Sequence, residues 1–235
     1  MSQICFVRHA QASFGHDEYD RLSDLGVQQA KILGDYFAQR NLTFDAVYCG
    51  TMERHIHTAQ TVLSRLPDGL PHSDVKVFPE FDEYDSSAII QFQLAELIRE
   101  DPSFSKSVEG LYRDRKFFQE IFERAVLRWV SGDIDIPGLE TWSSFIQRVH
   151  QGVAKIMKEN GQNKTIAVFT SGGPISAVMK LALDLSDEKT IQLSWQIQNT
   201  AVSTFKYNLK QFSLSSFNAV GHLELEKDGN LLTYR

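Results

Sequence analysis

Ile4-Cys5-Phe6-Val7-Arg8-His9-Ala10-Gln11 opens the chain with an apolar run that breaks abruptly into charge. Residues 4–7 are strand formers with no polar member, so they read as a short buried strand with Arg8 at its C-terminal edge. A loop rich in Gly, His and Asp follows. Ser23 then precedes a helical pattern in which Ala30, Leu33 and Phe37 recur at spacings of three and four. Residues 45–48 read as a second strand, and Ile56, Ala59, Leu63 and Leu66 mark a second helix stopped by Pro67. Residues 75–78 make a third short strand. Farther on, residues 165–169 form a β-branched and apolar strand that runs straight into Ser171-Gly172-Gly173 and a helix over 175–183. Residues 201–207 and 211–217 complete the strands. Strand and helix alternate, which predicts a three-layer α/β/α fold around a mostly parallel sheet.

Between residues 86 and 131 the chain changes character. It reads as helical and aromatic, with Phe92, Phe104, Tyr112, Phe117, Phe118, Phe122 and Trp129 and no convincing strand. We expect a cap-like insertion there, over the C-terminal edge of the strands, within a single domain spanning 1–235. Its aromatics could line a pocket for a bulky ester, although aromatics at helical spacing are more often core. Trp142, Phe145, Val149, Val153 and Ile156 then define a strong amphipathic helix.

Composition narrows the function classes. Hydrophobic residues make up 42% and charged residues 23% of 235, a mixture that excludes disordered and fibrous architectures. Lys and Arg number 24 against 30 Asp and Glu, a net charge of −6, so the chain lacks the footprint of a general nucleic-acid binder or an anionic-membrane binder. Cys5 and Cys49 sit in apolar strand contexts and read as free buried thiols. No basic and apolar leader precedes residue 4, and no apolar run approaches a membrane span, so a cytoplasmic protein is expected.

In α/β folds of this kind, ligands bind outside the carboxyl ends of the strands. Three polar segments should therefore converge: Arg8-His9, residues 50–54, and Ser171-Gly172-Gly173. The second and third also open helices, whose N-termini favour anions.

These segments continue as Leu22-Ser23-Asp24-Leu25-Gly26-Val27-Gln28-Gln29-Ala30 and Cys49-Gly50-Thr51-Met52-Glu53-Arg54-His55-Ile56-His57-Thr58-Ala59. The succession resembles the histidine phosphatase superfamily, also called phosphoglycerate mutase-like proteins. Its members show a strand ending in Arg-His-Gly, then Leu-Thr-x-x-Gly-x-x-Gln-Ala, then Ser-x-x-x-Arg-x-x-x-Thr-Ala. The likeness is dense through residue 60 and thinner beyond. It implies a metal-independent phosphomonoesterase in which His9 attacks phosphorus and becomes a phosphohistidine, with Arg8, Arg54, Ser171 and the Gly172 amide as phosphate contacts. A small phosphate ester would be the substrate, with no cofactor. The resemblance also implies a carboxylic acid soon after the third strand. Phe81-Asp82-Glu83 fits the family arrangement better than Phe78-Pro79-Glu80, so Glu83 is the expected acid and Glu80 the alternative.

Two departures stand out. Most members carry a second histidine followed by Gly where Ser171 stands here, and Ala10 replaces the glycine of the first motif. Serine can donate one hydrogen bond but no charge, which leaves a catalytically weakened phosphate-binding protein as one alternative. A phosphomutase is another, although its usual Trp-Asn beyond the first histidine is Phe14-Gly15 here. From a different class, the chain order Ser171, Asp184 or Asp187, His222 matches a serine-hydrolase triad, but Phe169 stands where the nucleophile elbow needs glycine. His55 and His57 lie two apart on a helix and point to different faces, a poor metal pair. His16 and His72 read as exposed loop residues.

Overall fold

Alternation within the first strand sets the layers. In the computed structural model, described for residues 1–13, 20–67, 74–100, 115–132, 136–208 and 210–234, β1 (Ser2–Arg8) turns Ile4 and Phe6 into one apolar cluster and Cys5 and Val7 into another. The strand period of two requires this division. From β2 (Ala46–Cys49) and β4 (Thr165–Thr170), Tyr48, Ile166 and Val168 join the first cluster, while Val47, Cys49, Ala167 and Phe169 join the second. The second face is covered by Ala30, Leu33 and Phe37 of α1 (Asp24–Gln39) and by Ala59 and Val62 of α2 (Glu53–Leu63). The first is covered by Phe145, Val149, Val153 and Ile156 of α5 (Trp142–Asn160) and by Ile175 and Val178 of α6 (Gly172–Leu183). Helices thus lie on both faces of the sheet, as the alternating pattern predicts.

The sheet has the order β3-β2-β4-β1-β5-β6, with β3 (Lys76–Val77), β5 (Val202–Tyr207) and β6 (Phe212–Ala219). Strands β3, β2, β4 and β1 run parallel, and β5 is antiparallel to both its neighbours. Register decides where the site forms. Arg8 lies opposite Thr170, and Cys49 lies opposite Phe169, so residues 9, 50 and 171 leave the sheet at one edge. The His9 N–H still donates to the Thr170 carbonyl (2.7 Å), and the Gly50 N–H to that of Phe169 (3.1 Å).

The aromatic stretch contains α3 (Ser86–Glu100) and α4 (Arg115–Ser131). These pack on one another, and α4 also packs on α5 and on α7 (Asp187–Ser194). Trp129 is buried and meets Tyr84, with ring centroids 4.9 Å apart, and Trp142 at 5.4 Å, so this aromatic belongs to the core. Phe92, by contrast, is exposed. Phe104, Tyr112, Phe14, Gly15, His16 and His72 lie outside the described residues. A short α8 (Gly221–Glu224) leans on α1. Both cysteines are free and buried, and burial pushes the Cys49 thiol up to about 12. Among the described residues, no helix is long and apolar enough to cross a membrane.

Candidate active site

His9 emerges from β1 into a loop that the following helix holds in place. Gln29 of α1 accepts from the Gln11 N–H (2.9 Å) and donates to Leu231 O and Thr233 Oγ1, both at 2.8 Å. Ser23 caps α1 by accepting from the Gly26 N–H (3.0 Å) and donates to Gln11 Oε1 (2.8 Å). Gly26 has no side chain for a reason: a Cβ there would stand 2.1 Å from Gln11 O. The Ala10 N–H donates to Thr58 Oγ1 (3.0 Å), whose hydroxyl donates to Arg54 O (2.6 Å). Ala10 is not among the residues with positive φ, so its methyl replaces glycine without backbone strain.

His9 is buried, and its Nδ1 lies 2.7 Å from Ala10 O. A carbonyl can only accept, so Nδ1 carries the proton and Nε2 keeps its lone pair. Burial, reinforced by the charges of Arg54 and Arg8 and by His55, holds this imidazole well below the ordinary histidine range. The ring is therefore neutral and fixed in one tautomer.

Both arginines flank it, and both are braced. Arg8 donates to Ile197 O and, at 2.7 Å, to Tyr234 O, so a carboxyl-terminal segment fixes the guanidinium. Arg54 Nη1 meets Asp20 Oδ1 at 2.5 Å, and Asp20 Oδ2 accepts from the Glu53 N–H at 2.6 Å. The Thr51 N–H is taken by Asp82 Oδ1 (2.5 Å) and the Thr51 hydroxyl by Asp82 Oδ2 (2.6 Å). These contacts correct one expectation. The start of α2 does attract anions, but they include the chain's own carboxylates: Asp20 takes the Glu53 N–H, and Asp82 takes Thr51 just before the helix.

The two acids separate cleanly. Glu83 lies at the start of α6, where its Oε2 accepts from the Gly173 N–H (3.0 Å). Burial pushes its carboxyl above the ordinary range, against the Gly173 bond and the charges of Arg54 and Arg8. A Cβ on Gly173 would stand 2.0 Å from Glu83 Oε1, so glycine is what lets the acid approach this helix. Glu80 turns the other way, packing its Cβ against Gly152 of α5 and pairing with Lys155 at 3.4 Å. The loop between them is gripped by Arg148, which donates to the carbonyls of Pro79 (2.9 Å), Glu80 (3.1 Å) and Asp82 (3.1 Å). Glu140 holds Arg148 from behind through a two-bond fork, both at 2.8 Å. Nothing in the sequence pattern marks Arg148, which lies on a helix and 65 residues beyond Glu83 by number.

Ser171 and Gly172 complete the edge. Ser171 is buried and does not cap α6, and a Cβ on Gly172 would stand 2.9 Å from Ser194 O. The Ser171 hydroxyl lies 2.7 Å from Nε2 of His55, which is fully buried, while His57 is half-buried on another side of α2. The serine-hydrolase triad does not assemble. His222 Nε2 meets Thr200 Oγ1 (3.0 Å) and its ring packs on Tyr36, while Asp187 pairs with Lys180. Chain order matched that triad, but the fold sends its histidine to α8.

Fold and site together define an α/β protein whose strand edge holds an oriented, buried histidine under the charges of two arginines, with a buried carboxyl raised by burial at the start of α6. The chain belongs to the histidine phosphatase superfamily (branch 1), which matches it over residues 4–117 and 109–220. It is 32% identical over 81 residues to the mitochondrial serine/threonine-protein phosphatase Pgam5 of Caenorhabditis briggsae; the match covers 34% of this chain and 28% of that protein. Solved structures that share the fold include the following two. Phosphoserine phosphatase from Entamoeba histolytica is 20% identical with a TM-score of 0.64, over 95% of this chain and 100% of that one. Phosphoglycerate mutase from Bacillus anthracis is 16% identical with a TM-score of 0.64, over 97% of each.

Proposed function

We propose that the chain is a metal-independent phosphomonoesterase that hydrolyses a small phosphate ester through a phosphohistidine on His9. The observation that carries this reading is the His9 ring, whose Nδ1–H is engaged by Ala10 O and whose Nε2 lone pair is kept unprotonated between Arg8 and Arg54. Nε2 forms a bond to phosphorus as the ester P–O bond breaks, and protonated Glu83 gives its proton to the leaving oxygen. Water then attacks phosphorus, loses a proton to Glu83 and breaks the P–N bond, which restores both groups. Charge spread over the transferring phosphoryl oxygens is met by Arg8, Arg54, the Ser171 hydroxyl and the Gly172 amide. With Asp20 on Nη1, a phosphoryl oxygen would meet Arg54 through Nη2. Two guanidinium groups supply the neutralisation that many phosphatases draw from a metal.

Membership of a phosphatase superfamily supports the reaction class, as do relatives described as a serine/threonine-protein phosphatase and a phosphoserine phosphatase. The sheet draws strands from residue 2 to residue 219, which supports reading 1–235 as one domain with α3 and α4 as an insertion.

Leaving-group dependence tests the acid. Glu83→Gln should slow hydrolysis of an alkyl phosphate by about 10²- to 10⁴-fold, the usual worth of a general acid. Formation of the phosphoenzyme from p-nitrophenyl phosphate, whose leaving group needs no proton, should stay near the wild-type rate. Equal losses on both substrates would remove Glu83 from the acid role.

A further inference from the structure

His55 is a buried titratable group that the steps above do not use. Its ring stands 5.7 Å from that of His9, centroid to centroid, and its Nε2 lies 2.7 Å from Ser171 Oγ. We propose that His55 is a positioning residue for phosphoryl transfer: its Nε2–H donates to Ser171 Oγ and turns the serine proton toward the phosphoryl group on His9. This rests on the phosphohistidine reading above.

The direction of the hydrogen bond follows from the other ring nitrogen. Nδ1 is buried and, among the described residues, has no hydrogen-bond partner. A proton there would leave a buried N–H orphaned, whereas a proton on Nε2 leaves only a lone pair unmet, which is the less costly arrangement. Burial, with Arg54 beside it, keeps the ring neutral, so only one nitrogen carries a proton. Ser171 Oγ therefore accepts from His55. Among the described residues the Ser171 side chain makes no other hydrogen bond, so its own proton is left for an acceptor in the site. Room for the ring comes from Gly50, where a Cβ would stand 2.3 Å from His55 Nδ1. Hydroxyl and imidazole together thus present one oriented donor at the end of β4. A lone serine would rotate freely and lose much of that preorganisation.

The test is a kinetic cycle with p-nitrophenyl phosphate on the full chain. Ser171→Ala and His55→Leu should each lower kcat by about 10²-fold, the low end for losing one preorganised donor, with KM little changed. The double variant should be no slower than Ser171→Ala alone, because His55 acts only through the serine. His55→Gln, whose amide N–H can replace the Nε2–H, should recover most of kcat. If His55→Leu does not fold, the decision passes to Ser171→Ala in the His55→Gln background, which should lose as much as in the wild type. Losses that multiply in the double variant, failure of glutamine to rescue, or a change confined to KM would overturn the proposal. Absence of phosphohistidine in the wild-type protein would instead overturn the function on which it rests, and phosphate trapped on Ser171 would overturn both.

Discussion

At the scale of single residues, the proposed reaction depends on pulling two titrations apart. It needs His9 without its second proton and Glu83 with its proton. At their ordinary values of 6.5 and 4.5, the two groups would be in these states together only in a small fraction of molecules. Burial moves both in the useful direction, His9 down and Glu83 up, as in other acid and base pairs set by environment. The sign of the pH dependence follows. kcat/KM should rise with pH as His9 deprotonates, on a limb well below 6.5, and fall as Glu83 deprotonates, on a limb above 4.5. The falling limb should vanish in Glu83→Gln and persist in Glu80→Gln. A rising limb at the ordinary imidazole value, or a profile altered by Glu80→Gln, would contradict the assignment. The placement of Arg8, His9 and Arg54 at one strand edge is legible in sequence, because each sits at the end of a strand or the start of a helix within a contiguous motif. His55 is not, because its meaning lies in Ser171, 116 residues away. A spacing motif records neighbours along the chain and is silent about a partner brought in by the sheet.

Whole elements position the groups that the proposed mechanism uses. The acid loop is held by a helix rather than by its own turn chemistry: Arg148 of α5 donates to three of its carbonyls while Glu140 grips the guanidinium. Arg148→Met keeps most of the apolar stem but strands those carbonyls. It should cost about 2–3 kcal/mol of stability by denaturant unfolding and lower kcat more than KM, since the acid moves and the arginines stay. A variant with wild-type kcat would show that the loop holds Glu83 unaided. Strand and helix placement was largely legible, because Ile4, Phe6, Ile166 and Val168 follow a period of two and Phe145, Val149 and Val153 a period of three to four. Two features were less so. β3 spans only Lys76–Val77 at the edge of the sheet, where the apolar pattern suggests residues 75–78. The start of α2 reads as an open anion site by sequence, yet Asp20 and Asp82 already satisfy Thr51 and Glu53.

For the whole molecule, a net charge of −6 surrounds a site built on Arg8 and Arg54. Their charges act on both His9 and Glu83, which are buried, whereas exposed charges elsewhere are screened by salt. For the proposed reaction, that contrast favours a single phosphate group over an extended polyanion. The covalent intermediate is the decisive feature of the proposed reaction. Mixing the protein with p-nitrophenyl phosphate, quenching within milliseconds and mapping the phosphate by peptide mass spectrometry should find it, acid-labile, on His9 and absent from His9→Ala. No phosphate on His9, together with undiminished turnover in His9→Ala, would contradict it.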